Sequence, residues 1–277
     1  MIFLLLAMLS SMLVSVLMRT SEKHCRGGMG MLAANYLMCC ALGLAFSGSI
    51  QLFPAAYGLP AALLMGSVNG VLYLAGFVLL QWNIKRNGVV LPATFMKLGV
   101  LVPTLLSILA FGETPGTAQI VGILAALCAI VLIQGRGGQE TGSLWGLILL
   151  LLTGGGGDAM SKIFEELGPA PLKDHFLLYT FLIALILCAL LAVLRKQPFS
   201  WREALWGLMI GVPNYFSARF LLLSLQDVPA VVAYPSYSVG TIVLVTLVGV
   251  LCFREKLSRR KLIALTVILI SLALLNL

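Results

Sequence analysis

Three ionisable side chains of this sequence stand inside long apolar stretches: Lys97 in Pro92-Ala-Thr-Phe-Met-Lys97-Leu-Gly, Asp158 behind the glycine run Gly154 to Gly157, and Arg219 in Asn214-Tyr-Phe-Ser-Ala-Arg219. A charge deep in a bilayer costs at least ~2.5 kcal/mol, so such residues are retained for binding, for ion coupling or for pairing with one another. Lys97 suits a polar substrate group or a coupling role; the alternative is a lysine neutralised by burial or paired with Asp158. Asp158 suits a cationic group, or proton coupling if burial lifts its pKa towards neutral. Its plainer reading is a salt bridge to Lys97 or Lys162, or a wet position near the helix end. Arg219 presents a planar fork that fits a carboxylate or phosphate bidentately, and a fixed pair with Asp158 satisfies the same physics. Two cations against one acid favour an anionic or zwitterionic substrate over a simple cation.

Around these charges stand neutral groups able to bind a solute. Asn69 and Asn214 offer amides that can meet substrate or bridge helices. Tyr73, Tyr215, Tyr234 and Tyr237 can wall a pocket, although aromatics near span ends more often anchor at the interface, a reading that also covers Tyr36 and Trp82. In Tyr234-Pro235-Ser236-Tyr237-Ser238 the proline frees a backbone carbonyl, and the neighbouring hydroxyls can satisfy it or meet a ligand. Glu113 and Glu255 fall at helix ends facing water and are assigned to capping the first turn of the helix that follows.

Catalysis would require a nucleophile with its base, or a metal cluster. The two histidines, His24 and His175, are expected in loops without Cys or carboxylate at ligand spacing, so neither an enzyme nor a metal site is expected. The six cysteines fall mostly in apolar runs without paired spacing and read as small buried apolar residues. No nucleotide-binding loop is present and no cofactor is expected.

The elements that must position these residues follow from composition. Of 277 residues 60% are hydrophobic and 10% charged, with mean hydropathy +1.05, which places most of the chain in lipid. Unbroken apolar runs of about 18 or more residues cross the hydrocarbon as helices, the only open structure there that satisfies every backbone amide. Breaks at charged or Gly/Pro-rich segments give an all-α chain of ten spans: 2–19, 30–52, 60–82, 89–111, 116–134, 143–164, 175–194, 204–225, 229–252 and 260–277. The first apolar stretch lacks a basic leader and a small-residue cleavage site and is taken as the first span. The net charge of +8 lies in short loops, so it reports topology and not a nucleic-acid partner.

Self-comparison yields two halves, 1–138 and 139–277. Gly66, Asn69 and Gln81 fall on Gly211, Asn214 and Gln226 at an offset of 145, Tyr36 meets Tyr179 at 143, and Phe111-Gly-Glu113 meets Phe253-Arg-Glu255 at 142. The repeat mates of Lys97 and Arg219 are Val239 and Leu74, so the charges break the symmetry. Five spans per half is an odd number, so the halves enter the membrane from opposite sides as inverted repeats, an arrangement many secondary transporters use to expose one midplane site to each side in turn. Loops after odd-numbered spans hold 14 of the 18 basic residues, which puts those loops in the cytoplasm and both termini outside.

The junctions Phe-Gly-Glu113-Thr-Pro and Phe-Arg-Glu255-Lys-Leu-Ser-Arg-Arg, each leading into a small-residue-rich apolar helix, resemble the EamA-like family of the drug/metabolite transporter superfamily along the whole chain. The resemblance implies ten helices, an inverted pseudo-twofold, a central cavity lined by helices 1, 3, 4, 6, 8 and 9, and transport without ATP. It usually implies cytoplasmic termini, against the charge count here. The expected function is secondary transport of a small organic metabolite by alternating access in the inner membrane. Export of organic cations or drugs is the alternative, as is a flippase for lipid-linked or amphipathic cargo. The expected partners are a small-molecule substrate, the lipid bilayer, and protons or a counter-substrate. A monomer should suffice to close the cavity, with a dimer as the other possibility.

Overall fold

The computed structural model describes residues 1–21, 28–48, 51–87, 92, 95–96, 98–134, 144–196, 200–252 and 259–275. These contain ten α-helices, a single turn of 3-10 helix at Ala170–Leu172, and no strand. The helices are α1 (Ile2–Ser21), α2 (Met29–Phe46), α3 (Leu59–Asn87), α4 (Leu101–Leu109), α5 (Thr117–Gln134), α6 (Leu144–Leu167), α7 (Lys173–Leu194), α8 (Trp201–Ser224), α9 (Ala230–Leu251) and α10 (Arg259–Leu275). Each expected span therefore has its helix. Among the described residues six segments are long and apolar enough to cross a membrane: Ile2–Ser21, Met29–Phe46, Leu59–Asn83, Leu144–Leu167, Ala170–Leu194 and Ala230–Leu251.

Boundaries differ where local chemistry overrides hydropathy. The second span, expected to reach residue 52, stops as α2 at Phe46, before a turn that uses the positive φ of Gly48. The helix α6 runs unbroken through Gly154 to Gly157, so this run does not unwind; its backbone is used for close approach instead. His175, expected in a loop, is buried in the first turn of α7. Lys97 and Glu255 lie outside the described residues.

Packing gathers the chain into two compact units, Met1–Leu74 with Ile163–Ser224, and Ala75–Lys162 with Leu225–Leu277. Each unit takes segments from both halves of the sequence.

In the first unit α8 packs on α1 and α2, and α7 packs on α2. Glycines set these contacts. A Cβ on Gly66 of α3 would lie 2.7 Å from Tyr179 Cβ and 2.9 Å from the Phe176 carbonyl on α7; a Cβ on Gly211 of α8 would lie 2.5 Å from Met38 Cβ and 2.6 Å from the Asn35 carbonyl on α2. One turn further along, Asn69 Nδ2 donates to Thr180 Oγ1 at 3.3 Å, and Asn214 Nδ2 reaches Cys39 Sγ at 3.7 Å and Asn35 Oδ1 at 3.1 Å. The α3–α7 and α8–α2 contacts thus repeat the same chemistry, with α3 and α8 offset by 145 residues and α2 and α7 by 141. The latter differs by two residues from the register in which Tyr36 meets Tyr179. Both asparagines bridge helices through Nδ2, while Asn69 Oδ1 is buried without a partner among the described residues.

The second unit packs α5 against α10, where Ser271 Oγ donates to the Gly122 carbonyl at 2.7 Å, and α4 against α9. The helices α3 and α6 meet where Asn83 Nδ2 donates to the Gly146 carbonyl at 2.9 Å. The helix α6 meets α4 and the turn that leads into it at Gly155, where an added Cβ would collide with the Gly99 carbonyl and lie 2.8 Å from Val102 Cβ.

Candidate functional site

The expected site residues divide between the units. Asn69, Tyr73, Asn214, Tyr215 and Arg219 belong to the first, and Asp158, Tyr234, Ser236 and Tyr237 to the second.

In the first unit Arg219 does not pair with Asp158. Its Nε donates to Asp174 Oδ1 at 2.7 Å and its Nη2 to Asp174 Oδ2 at 3.3 Å, a bidentate fork with the first turn of α7. The face of the guanidinium lies 4.9 Å from the centre of the Phe46 ring at the end of α2. The fork expected to receive a substrate anion is therefore occupied by a carboxylate of this chain. The Tyr215 ring packs between Phe46 and Phe181 and is fully buried, and Tyr73 meets Phe181 edge to face. The Tyr215 hydroxyl lies close to Arg219 without reaching hydrogen-bond geometry. His175 Nε2 sits 3.3 Å from the Gln51 carbonyl. Asp174 escapes sequence inspection because it is separated from Arg219 by 45 residues and is placed at a span end, where an acid looks solvated.

The second unit joins α6 to α9. Tyr234, fully buried, donates its hydroxyl to the Asp158 carbonyl at 2.6 Å. Tyr234, Tyr237 and Thr241 share one face of α9 by their spacing of three and seven residues. Ser236 and Thr241 are buried, and among the described residues neither side-chain oxygen finds a hydrogen-bond partner. A buried hydroxyl without a partner costs about 1–3 kcal/mol, so these two oxygens are poised for a group that the described residues do not supply. Thr241 was missed by sequence reasoning; its position one turn beyond Tyr237 is the signal that could have found it. Replacing Tyr234 by Phe should lower stability by about 0.5–1.5 kcal/mol, the net worth of one buried hydrogen bond, as measured by unfolding in detergent.

Glu113 corrects the capping expectation. It does not cap α5, the helix that follows it. Its Oε1 and Oε2 accept from the backbone N–H groups of Ala230 and Val231, at 3.1 and 2.9 Å, in the first turn of α9. Lys162 of α6 completes the cluster at 2.7 Å from Glu113 Oε1, with its side chain only 4% exposed. Lys162 thus pairs with Glu113. Burial pushes the Glu113 carboxyl pKa up, but the hydrogen bond from Lys162, the two α9 amides and the Lys162 charge together outweigh it and hold the group below the ordinary carboxylate value. The sequence marked Glu113 as motif-like; its partners lie 49 and 117 residues away and carry no local signature.

Among the described residues no cluster of three or more His, Cys, Asp or Glu side chains is arranged to hold a metal. Cys39, Cys40 and Cys188 are buried as expected, whereas Cys128 and Cys252 are exposed.

Comparison with known proteins follows the same outline. An uncharacterized protein of Haemophilus influenzae is 23% identical over 197 residues, spanning 69% of this chain and 67% of that protein. A solved structure described only as a crystal structure of a protein superposes with a TM-score of 0.74 at 18% identity, covering 99% of this chain and 94% of the other, and so shares the fold. Residues 140–277, the second half, match the model of the EamA-like transporter family. On that match, and with its series of apolar helices, the chain is a multi-pass membrane protein that belongs to the EamA-like transporter family.

Proposed function

We propose that this protein is a secondary transporter that carries a small polar organic metabolite by alternating access, its halves 1–138 and 139–277 related as inverted repeats. The observation that carries the reading is the doubled contact, Gly66 and Asn69 of α3 on α7 matched by Gly211 and Asn214 of α8 on α2. A duplicated unit with five helices must enter the membrane in opposite senses, and two pseudosymmetric packings of nearly equal energy are what alternating access uses. Loop charge supports an inner-membrane orientation with both termini outside. No nucleotide-binding loop occurs in the sequence, so flux runs down a gradient, by exchange, or with a coupled ion, for which Asp158 remains the candidate.

Side-chain chemistry supports a substrate recognised mainly by neutral hydrogen bonds. Arg219 and Lys162 are engaged by Asp174 and Glu113, while the buried hydroxyls of Ser236 and Thr241 lack partners among the described residues. An anionic group on the substrate would rest on Lys97.

The test is a thermal-shift screen of the purified protein against a metabolite library, since a ligand that binds only the folded state raises its stability. Thr241→Val and Ser236→Ala should leave the ligand-free protein as stable as the parent, yet weaken the hit about three- to tenfold, the worth of one hydrogen bond. Loss of ligand-free stability with unchanged affinity would make these hydroxyls structural. A library without hits, together with proteoliposomes that exchange no labelled metabolite, would overturn the transport reading.

A further inference from the structure

Within the second unit a groove of about 290 Å3 runs between α3 and α6, lined by Val78, Leu79, Trp82, Trp145, Gly146 and Leu149. It lies towards the end of α3 and the beginning of α6, the same end of both helices. Its floor depends on Gly146, because a Cβ there would strike the Trp82 ring and come within 2.7 Å of Asn83 Oδ1. The ring can therefore lie across the α6 backbone. Trp145 is 74% exposed on the other wall, and the lining is otherwise aliphatic. The slot is apolar and open, as an alkyl chain requires, and two tryptophans at one helix end suit the level of the lipid headgroups.

Arg86 supplies the complementary charge. One turn beyond Trp82, its guanidinium lies 4.1 Å from the centre of the indole. Stacking occupies the face of the guanidinium and leaves the donors at its edge directed outward, which is the geometry that grips a phosphate. No carboxylate among the described residues pairs with Arg86. The loop it enters belongs to the set that holds 14 of the 18 basic residues, and such loops face the leaflet where anionic lipid attracts them.

We propose that this groove is a binding site for an anionic phospholipid, with an acyl chain lying along Val78, Leu79 and Leu149 between the two indoles and the phosphate on the outer edge of Arg86. The proposal needs the chain only to span a membrane and is independent of what the protein transports.

The test uses the full chain carrying Trp201→Phe and Trp206→Phe, so that Trp82 and Trp145 are the emitters, reconstituted in phosphatidylcholine vesicles. Quenching by brominated phosphatidylglycerol is compared with quenching by brominated phosphatidylcholine at equal mole fraction. The anionic lipid should associate about fivefold more strongly, the factor that one cation near an anionic surface supplies. Arg86→Gln should bring the two lipids to parity with the helical circular dichroism unchanged. Val78→Phe, which fills the groove and leaves Arg86 in place, should reduce the preference as well. Equal quenching in the parent overturns the proposal. A preference that survives Arg86→Gln, or that survives Val78→Phe undiminished, also overturns it, because the lipid would then be drawn by surface charge in general.

Discussion

Glu113→Gln is expected to lower the stability of the purified protein by roughly 3–5 kcal/mol, the cost of removing one partner from a buried ion pair. The physical reason is local. The carboxylate holds two backbone amides at the start of α9 and the Lys162 ammonium on α6, so its loss strands a nearly buried cation and uncaps a helix in one step. Adding Lys162→Met to the Glu113→Gln variant should recover most of the loss, because a methionine of similar length fills the space without a charge to desolvate. Unfolding in detergent, followed for both single variants and the double variant, gives the coupling directly. An additive result would mean that the pair does not act as a unit. The acid dependence has a definite sign. Because the folded protein holds the Glu113 carboxyl below its unfolded value, its contribution is complete above the unfolded carboxylate pKa and disappears as pH falls through the folded one. The parent should therefore lose stability on acidification more steeply than Glu113→Gln. Parallel acid profiles would sink this account of the cluster.

How much of this was legible in the sequence depends on the range of the interaction. The ten helices were readable because hydropathy is a property of each segment alone, and Phe111-Gly-Glu113 announced its junction. The matched glycines and asparagines announced which helices carry equivalent contacts, although not the residues they touch. Partner choice for the charges was not legible. The sequence offers Asp158 as the partner of Lys97, Lys162 or Arg219 because it is the one acid well inside an apolar run, and the acids that hold Arg219 and Lys162 lie elsewhere. For Arg219 the fold recruits Asp174 and for Lys162 it recruits Glu113, acids at span ends that looked solvated. A carboxylate at a helix end can turn inward when the neighbouring helix offers a cation or free amides, and only the tertiary structure says whether it does. The candidate substrate wall shows the same limit: Ser236 stood out beside a proline, whereas Thr241 looked like one more β-branched residue in an apolar helix, until burial without a partner set it apart.

Within the glycine run of α6, two adjacent positions should respond in opposite directions. Gly155→Val is expected to destabilise the protein by about 1–3 kcal/mol or more and to abolish activity in any transport assay that the parent supports. A Cβ at this position meets the Gly99 carbonyl and lies 2.8 Å from Val102 Cβ, and neither a carbonyl nor a β-branched stem can swing aside. The α4–α6 crossing must open, and with it the path of α6 towards Asp158 and Tyr234. Gly154 faces a different neighbour: its Cβ would lie 3.5 Å from Met96 Cγ and 3.6 Å from the Met96 carbonyl, ordinary van der Waals contact. Gly154→Ala should therefore be neutral or stabilising by up to about 1 kcal/mol, because alanine gives up less backbone entropy in a helix interior than glycine does. Paired unfolding measurements on the two variants distinguish close packing from flexibility as the reason for the run. If both substitutions stabilise, the crossing is looser than the glycine contact requires. If both destabilise and both stop transport, the run serves a hinge, and α6 must bend through it during the transport cycle.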